Sequence, residues 1–220
     1  MRITAIISGG EADLQFIESY LKKLEYNYLI TADGGLRVAD LLAIKPDCIV
    51  GDFDTVNPAI LHKYLNREDV EIKRFLAEKD FTDTSAAVKQ AIDMGSMEIH
   101  VLCATGTRLD HTISNIMLLQ MILDAGVEGY IVDKNNRIRI IGGKRKRLDI
   151  KKTSKYRYVS IIPLSEKVTG VSTKGMKYNV NNLDMYMGRD ISMGVSNEVQ
   201  ETMGEILIKE GKALIIESID

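Results

Sequence analysis

The first part of the chain switches repeatedly between two hydrophobic periodicities, and this alternation narrows the fold more than any other feature. Residues 2–8 form an apolar, β-branched run ended by Gly9-Gly10, after which Leu14, Ile17, Leu21 and Leu24 recur at helical spacing. Residues 28–32 read as a second strand ended by Asp33-Gly34-Gly35, residues 36–43 as a short helix, and residues 48–50 as a third strand running into Gly51-Asp52. A short strand at 70–72 follows, then a helix over 84–94 capped by Thr82 or Asp83. A strand at 98–104, a helix over 112–125, and strands at 129–132 and 138–141 close the series. Strand–helix alternation sustained over the first ~140 residues predicts a parallel sheet flanked by helices.

The pattern changes at Gly142-Gly143-Lys144-Arg145-Lys146-Arg147. Beyond it no helical periodicity stands out, and short alternating stretches at 156–162, 168–171, 205–208 and 213–216 are separated by turn signals. Such spacing suits an antiparallel sandwich or barrel. The expected fold is therefore α/β: an N-terminal parallel-sheet α/β domain over 1–142, followed by a C-terminal antiparallel β-sandwich domain over 143–220. The basic run itself reads as a solvated face or hairpin, because a nucleic-acid surface needs a broader patch with aromatics.

Composition removes several classes. The 220 residues are 45% apolar, enough for a real core, and the net charge of −2 gives no electrostatic case for nucleic acid as a partner. Cys48 and Cys103 both lie in apolar runs and read as buried thiols of a reducing compartment, not a disulfide. Histidine is scarce and not clustered with cysteine, which argues against zinc. No apolar run approaches the ~20 residues that span a bilayer, and the first residues run straight into a strand with no basic n-region or cleavage site, so a secretory leader is not expected. A cytoplasmic protein is the expectation.

Four acidic stretches carry the chemistry: Ala32-Asp33-Gly34-Gly35, Gly51-Asp52-Phe53-Asp54-Thr55, Lys79-Asp80-Phe81-Thr82-Asp83-Thr84 and Gly106-Thr107-Arg108-Leu109-Asp110-His111. Open α/β sheets bind ligands beyond the carboxyl ends of their strands, so the topology can gather all four in one crevice. Like charges are not gathered without a cation or proton between them. The short, hard oxygens of aspartate suit magnesium, and a magnesium site is most often a phosphate site. Taken singly, each stretch also fits a solvated turn or helix-terminal acids. Ser8-Gly9-Gly10 and Thr105-Gly106-Thr107 offer backbone N–H groups to phosphate, and Lys79 and Arg108 could neutralise its oxygens. No P-loop and no dinucleotide fingerprint is present. In the second half, Gly175-Met176-Lys177-Tyr178-Asn179 and Gly194-Val195-Ser196-Asn197-Glu198 carry short donors and acceptors able to orient a small polar ring.

Together these motifs resemble those of bacterial thiamine pyrophosphokinases, in the same order and with similar spacing over nearly the whole chain. The resemblance implies an N-terminal ATP- and magnesium-binding catalytic domain, a C-terminal thiamine-binding sandwich, and a homodimer whose active site is shared between subunits. It implies ATP and thiamine as substrates and Mg2+ as cofactor; the charge and hydropathy read above leave no nucleic-acid or membrane partner expected. Carried over by motif, Asp52, Asp54 and Asp83 would hold the metal and Asp110 would face thiamine. Arg108 and Lys79 would face phosphates. Asp33, Gly34, Asp80 and Thr82 would line the nucleotide site, His111 and Asn115 would support it, and Ser196 and Asn197 would contact thiamine from the partner subunit. The chain departs from the family pattern at Thr107, where a second glycine is common, and at Asn179, where proline is common. It has no tryptophan, which leaves Tyr178 or Tyr186 for stacking on thiamine.

The residues alone also admit an aspartate-nucleophile phosphohydrolase built on Asp52-Phe53-Asp54-Thr55-Val56, which leaves residues 108–111 and the C-terminal loop unexplained. A third reading is a non-catalytic thiamine or nucleotide sensor.

Overall fold

The structure is a computed structural model that describes residues 1–54, 56–75, 80–153, 155–189 and 191–220. The chain forms two compact units, Met1–Lys134 and Asn135–Asp220.

Among its described residues the first unit holds six strands, β1 (Ile3–Ile7), β2 (Tyr28–Ala32), β3 (Cys48–Gly51), β4 (Glu71–Arg74), β5 (Glu98–Leu102) and β6 (Glu128–Val132). They pair in the order β4-β3-β2-β1-β5-β6, and every pairing is parallel. Between them run α1 (Leu14–Leu24), α2 (Gly35–Leu41), α3 (Pro58–Leu65), α4 (Asp83–Asp93) and α5 (Leu109–Asp124).

The strand order decides where the helices go. From β1 to β4 the chain steps one way along the sheet; it then returns past β1 to β5 and steps the other way. Right-handed crossovers therefore place α1, α2 and α3 on one face and α4 and α5 on the other. Ile17 and Leu21 of α1 and Val38 and Ala39 of α2 pack on Ala5, Ile7 and Leu29. The order reverses between β1 and β5, so a crevice is expected outside their carboxyl ends.

Helix starts follow local chemistry. Asp13 caps α1 by accepting from the Phe16 N–H at 2.9 Å. Thr82, one of the two expected caps, caps α4 by accepting from the Ser85 N–H at 3.1 Å. The helix expected over 112–125 begins earlier, at Leu109, because Arg108 already has the extended backbone of a cap. No sequence expectation covers α3, whose cap is Asn57, accepting from the Ala59 N–H at 2.9 Å, with Pro58 in the first turn.

The second unit is all antiparallel. One sheet is β7 (Asn136–Gly142), β13 (Lys212–Ser218) and β9 (Tyr158–Pro163), with β13 central. The other runs β11 (Leu183–Tyr186), β10 (Lys167–Lys174), β12 (Met203–Leu207) and β8 (Arg147–Lys151). Ile141, Val159, Ile161 and Ile215 of the first sheet share a core with Leu148, Ile150, Val168, Val171 and Ile206 of the second. This is the sandwich expected from the alternating stretches.

The expected boundary at Gly142-Gly143 lies at the end of β7, whereas the compact units divide at Lys134/Asn135. The reason is pairing: residues 136–142 match β13 antiparallel, so the strand read as closing the first series belongs to the sandwich. The basic run 144–147 is a turn leading into β8, as the hairpin reading expects.

Candidate active site

A cavity of about 640 Å³ opens beyond the strand ends of the first unit, where the sheet order reverses. Its lining comes from the loops after β1, β2 and β5 and from the first turns of α4 and α5.

Glycines form its floor because backbone must meet backbone there. The Gly10 N–H donates to Cys103 O at 2.7 Å and the Glu11 N–H to Thr105 O at 2.9 Å, joining the β1 loop to the β5 loop. A Cβ on Gly10 would lie 2.5 Å from both of those carbonyl oxygens. A Cβ on Gly34 would lie 3.4 Å from the Gly9 Cα. Cys103 turns the chain with a left-handed φ of 54°. Both thiols are free and buried, and burial raises each to about 12, which keeps them protonated and inert.

The β5 loop is tied from several sides. Asn115 donates to Ala104 O at 2.8 Å, Thr105 donates to Asp133 at 3.0 Å, and the Gly106 N–H donates to Thr112 Oγ1 at 3.1 Å. Asn115, expected to support the nucleotide pocket, thus holds the loop while also lining the cavity. The buried Ser8 and Thr84 hydroxyls meet at 2.5 Å, tying β1 to the first turn of α4 beside Asp83.

Asp33, Asp52 and Asp54 form the acidic group among the described residues, each offering an oxygen within 4.8 Å of the others. Asp33 and Asp52 are half-buried and Asp54 is exposed. They meet because β2 and β3 are neighbouring parallel strands, and the Asp33 N–H donates to Val50 O at 2.8 Å. Three hard carboxylates at this spacing fit a divalent cation such as magnesium. The expected set was Asp52, Asp54 and Asp83. In the structure Asp33 completes the group, while Asp83, at the start of α4, lines the cavity together with Asp33.

Other expected residues sort as follows. Gly34, Thr82, Arg108 and His111 line the cavity. Asp80 is exposed and lies outside that lining. Arg108 donates to Asp110 at 2.6 Å, and both are largely exposed. The Arg108 hydrogen bond holds the Asp110 carboxyl below the usual range, leaving a weak base paired to the cation expected to meet phosphate. Lys79 and Thr55 lie outside the described residues. Glu11, Thr84 and Thr112 also line the cavity, beyond the expected residues. Thr84 and Thr112 carry a readable signal, a hydroxyl in the first turn of a helix at an acidic stretch, whereas nothing in the sequence singles out Glu11.

In the second unit, Ser196 is exposed with a left-handed φ of 57°, and its N–H donates to Ser160 Oγ at 3.2 Å. Asn197 is occupied internally. Its Oδ1 accepts from the Tyr178 N–H at 3.0 Å and the Glu198 N–H at 2.9 Å, and its Nδ2 donates to Tyr178 O at 2.8 Å. Its own peptide groups pair with Val159. Asn197 and the exposed Tyr178 border an apolar recess of about 30 Å³, with Met193 and Val159.

Comparison with known proteins follows the same division. The thiamin pyrophosphokinase catalytic domain matches residues 19–131, and the thiamin pyrophosphokinase vitamin B1 binding domain matches residues 145–213. The thiamine pyrophosphokinase of Bacillus subtilis (strain 168) is 28% identical over the full length of both chains. Thiamin pyrophosphokinase 1 of Caenorhabditis elegans is 29% identical, over 86% of this chain and 77% of its own. The crystal structure of the Bacillus subtilis enzyme superposes with a TM-score of 0.87 at 25% identity, covering all of both chains. That of the Geobacillus thermodenitrificans thiamin pyrophosphokinase gives 0.83 at 27% identity, covering 99% of this chain and 98% of the other.

Proposed function

The chain belongs to the thiamine pyrophosphokinase family and is a thiamine diphosphokinase, and we propose that the glycine-floored cavity and its acidic rim are where it binds ATP and transfers pyrophosphate to thiamine. The observation that carries this reading is the placement of Asp33, Asp52 and Asp54 beside a cavity at the reversal of sheet order. Asp33, Asp52 and Asp54 would hold Mg2+, with Asp83 reaching in from α4. When bound, that ion supplies charge neutralisation on the phosphate oxygens.

The reaction joins the thiamine hydroxyl oxygen to the β-phosphorus of ATP. The bond from that phosphorus to the oxygen bridging it to the α-phosphorus breaks, and AMP departs with the bonding pair. The hydroxyl proton passes to a carboxylate or to water. Such transfer depends on alignment and on compensating charge rather than on covalent help. The tied loop 104–107 and the first turn of α4 hold donors at fixed positions. Among the described residues Arg108 is a cation lining the cavity, and its exchange of Asp110 for a phosphate oxygen would release the Asp110 carboxylate toward the acceptor.

We further propose a homodimer in which the second unit of one subunit, through Ser196 and the recess beside Asn197, meets the acidic crevice of the other. Leu109, Ile113, Met117 and Met121 of α5 are exposed at four-residue spacing, an apolar stripe that a second subunit would cover. Sedimentation of the purified protein tests this, and a monomer at micromolar concentration rejects it.

A reducing, cytoplasmic setting fits the two free thiols. Among the described residues no helix is long and apolar enough to cross a membrane. The decisive assay incubates the protein with ATP, Mg2+ and thiamine. AMP and thiamine diphosphate are expected in equal amounts; formation of ADP and thiamine monophosphate rejects the reading.

A further inference from the structure

Asp52 and Asp54 stand two apart, and a straight strand would send both side chains to one face. The chain is not straight there. Phe53 has a φ of 67°, in the left-handed region that a bulky side chain disfavours. A residue stays in that region only where its surroundings over-determine it. The surroundings of Phe53 do so. Phe53 is 8% exposed and packs with Leu36, Ile49, Val56, Tyr64 and Val70 at the end of β3.

Gly51 supplies the second half of the arrangement. A Cβ on Gly51 would lie 3.3 Å from two Phe53 ring atoms and 3.3 Å from the Asp33 Cα. The bare Gly51 backbone is therefore where the Phe53 ring and the Asp33 backbone converge. Beyond it, the Asp54 N–H donates to Asp52 Oδ1 at 3.2 Å and closes the turn.

We infer that Phe53 is a positioning residue for the Asp33, Asp52 and Asp54 group: its buried ring pins a left-handed turn that brings Asp52 and Asp54 to Asp33, and Gly51 leaves the room for it. This rests on the reading of that group as a divalent-cation site. Glycine at position 53 would suit the backbone better. The buried ring explains why a phenylalanine stands there, since a glycine turn would have nothing to fix its orientation.

The test measures Mn2+ affinity by electron paramagnetic resonance on the full chain in the presence of α,β-methylene-ATP. Phe53→Gly, which frees the turn, should weaken Mn2+ about tenfold or more, as supporting residues of metal sites do. Gly51→Ala should do the same by separating Phe53 from Asp33. Phe53→Leu, which keeps a buried anchor, should restore most of the affinity. Leu21→Ala, in the separate apolar cluster under α1, should lower the melting temperature and leave Mn2+ affinity unchanged. Wild-type Mn2+ affinity in Phe53→Gly overturns the inference, and so does an equal loss in Leu21→Ala. An Mn2+ affinity that Asp54→Asn leaves unchanged removes the metal reading itself, and this inference with it.

Discussion

The side-chain amide of Asn197 closes a ring of hydrogen bonds on the peptide of Tyr178, accepting from its N–H at 3.0 Å and donating to its carbonyl at 2.8 Å. Around this ring, Lys177 pairs with Glu198 at 3.1 Å and Met176 bridges to Val199. Two loops far apart in sequence are thereby one rigid edge. Asn197→Ala should lower stability by about 0.5–1.5 kcal/mol, the net range for an ordinary hydrogen bond, because Tyr178 is exposed and water can replace the lost amide. It should raise the KM for thiamine more than the KM for ATP. Urea unfolding and separate substrate titrations check both parts.

Among the glycines that line the crevice, Gly10 has the least room. Gly10→Ala would press a methyl group against the Cys103 and Thr105 carbonyl oxygens, both 2.5 Å from its Cβ. Backbone cannot swing aside as a long side chain can, so the β1 and β5 loops must part. A loss of about 1–3 kcal/mol is expected, as for other overpacked sites, together with a fall in kcat/KM for ATP. Thermal melts and steady-state rates measure the two effects.

Asp54 is exposed and belongs to the acidic group. Asp54→Asn keeps the shape and removes the charge. It should cut kcat by on the order of 100-fold, the scale for losing one electrostatic contact to developing charge. The melting temperature should change little, because substitutions on the surface rarely matter to stability. Wild-type turnover in this variant would take Asp54 out of the site.

Acid should weaken the fold through particular carboxylates. The Phe16 N–H and then Lys134 hold Asp13 below its usual range, Lys167 does so for Asp184, and Lys177 for Glu198. A carboxylate with a lowered folded pKa contributes stability that is complete above its unfolded value and is lost as pH falls toward the folded one. Urea midpoints should therefore hold steady at neutral pH and decline once pH drops below about 4–4.5, the unfolded carboxylate range. Glu198→Gln should make that decline shallower.

Much of the architecture was legible because local periodicity reflects burial on a sheet. The run at 28–32 became β2 residue for residue, and of the two caps the sequence offers for α4, Thr82 and Asp83, the structure uses Thr82. The miss at α3 has a local cause: a helix of residues 58–65 is too short to display its periodicity, though Asn57-Pro58 marks its start. β11 escaped for the same reason, since four residues with one buried side chain scarcely alternate.

The site divided along similar lines. The acidic stretches and glycine turns were visible as types of residue, so metal and phosphate chemistry could be read from them. Which carboxylates meet depends on strand order. Asp33 joins Asp52 because β2 lies beside β3, a fact of pairing that no spacing along the chain encodes. Arg108 and Asp110 looked like separate tools for phosphate and acceptor, yet two residues apart at a helix start they first satisfy each other.

By itself, then, the sequence determined the two classes of sheet, the acidic and glycine-rich turns at strand ends, and the family those turns resemble. Each of these is written within a few neighbouring residues. Tertiary structure decided the rest: that β7 joins β13, that Asp33 completes the acidic group, and that Asn197 spends its amide on Tyr178. Those outcomes turn on contacts between segments distant in the chain, where hydrogen-bond pairing and close packing select one partner among several that local pattern allows.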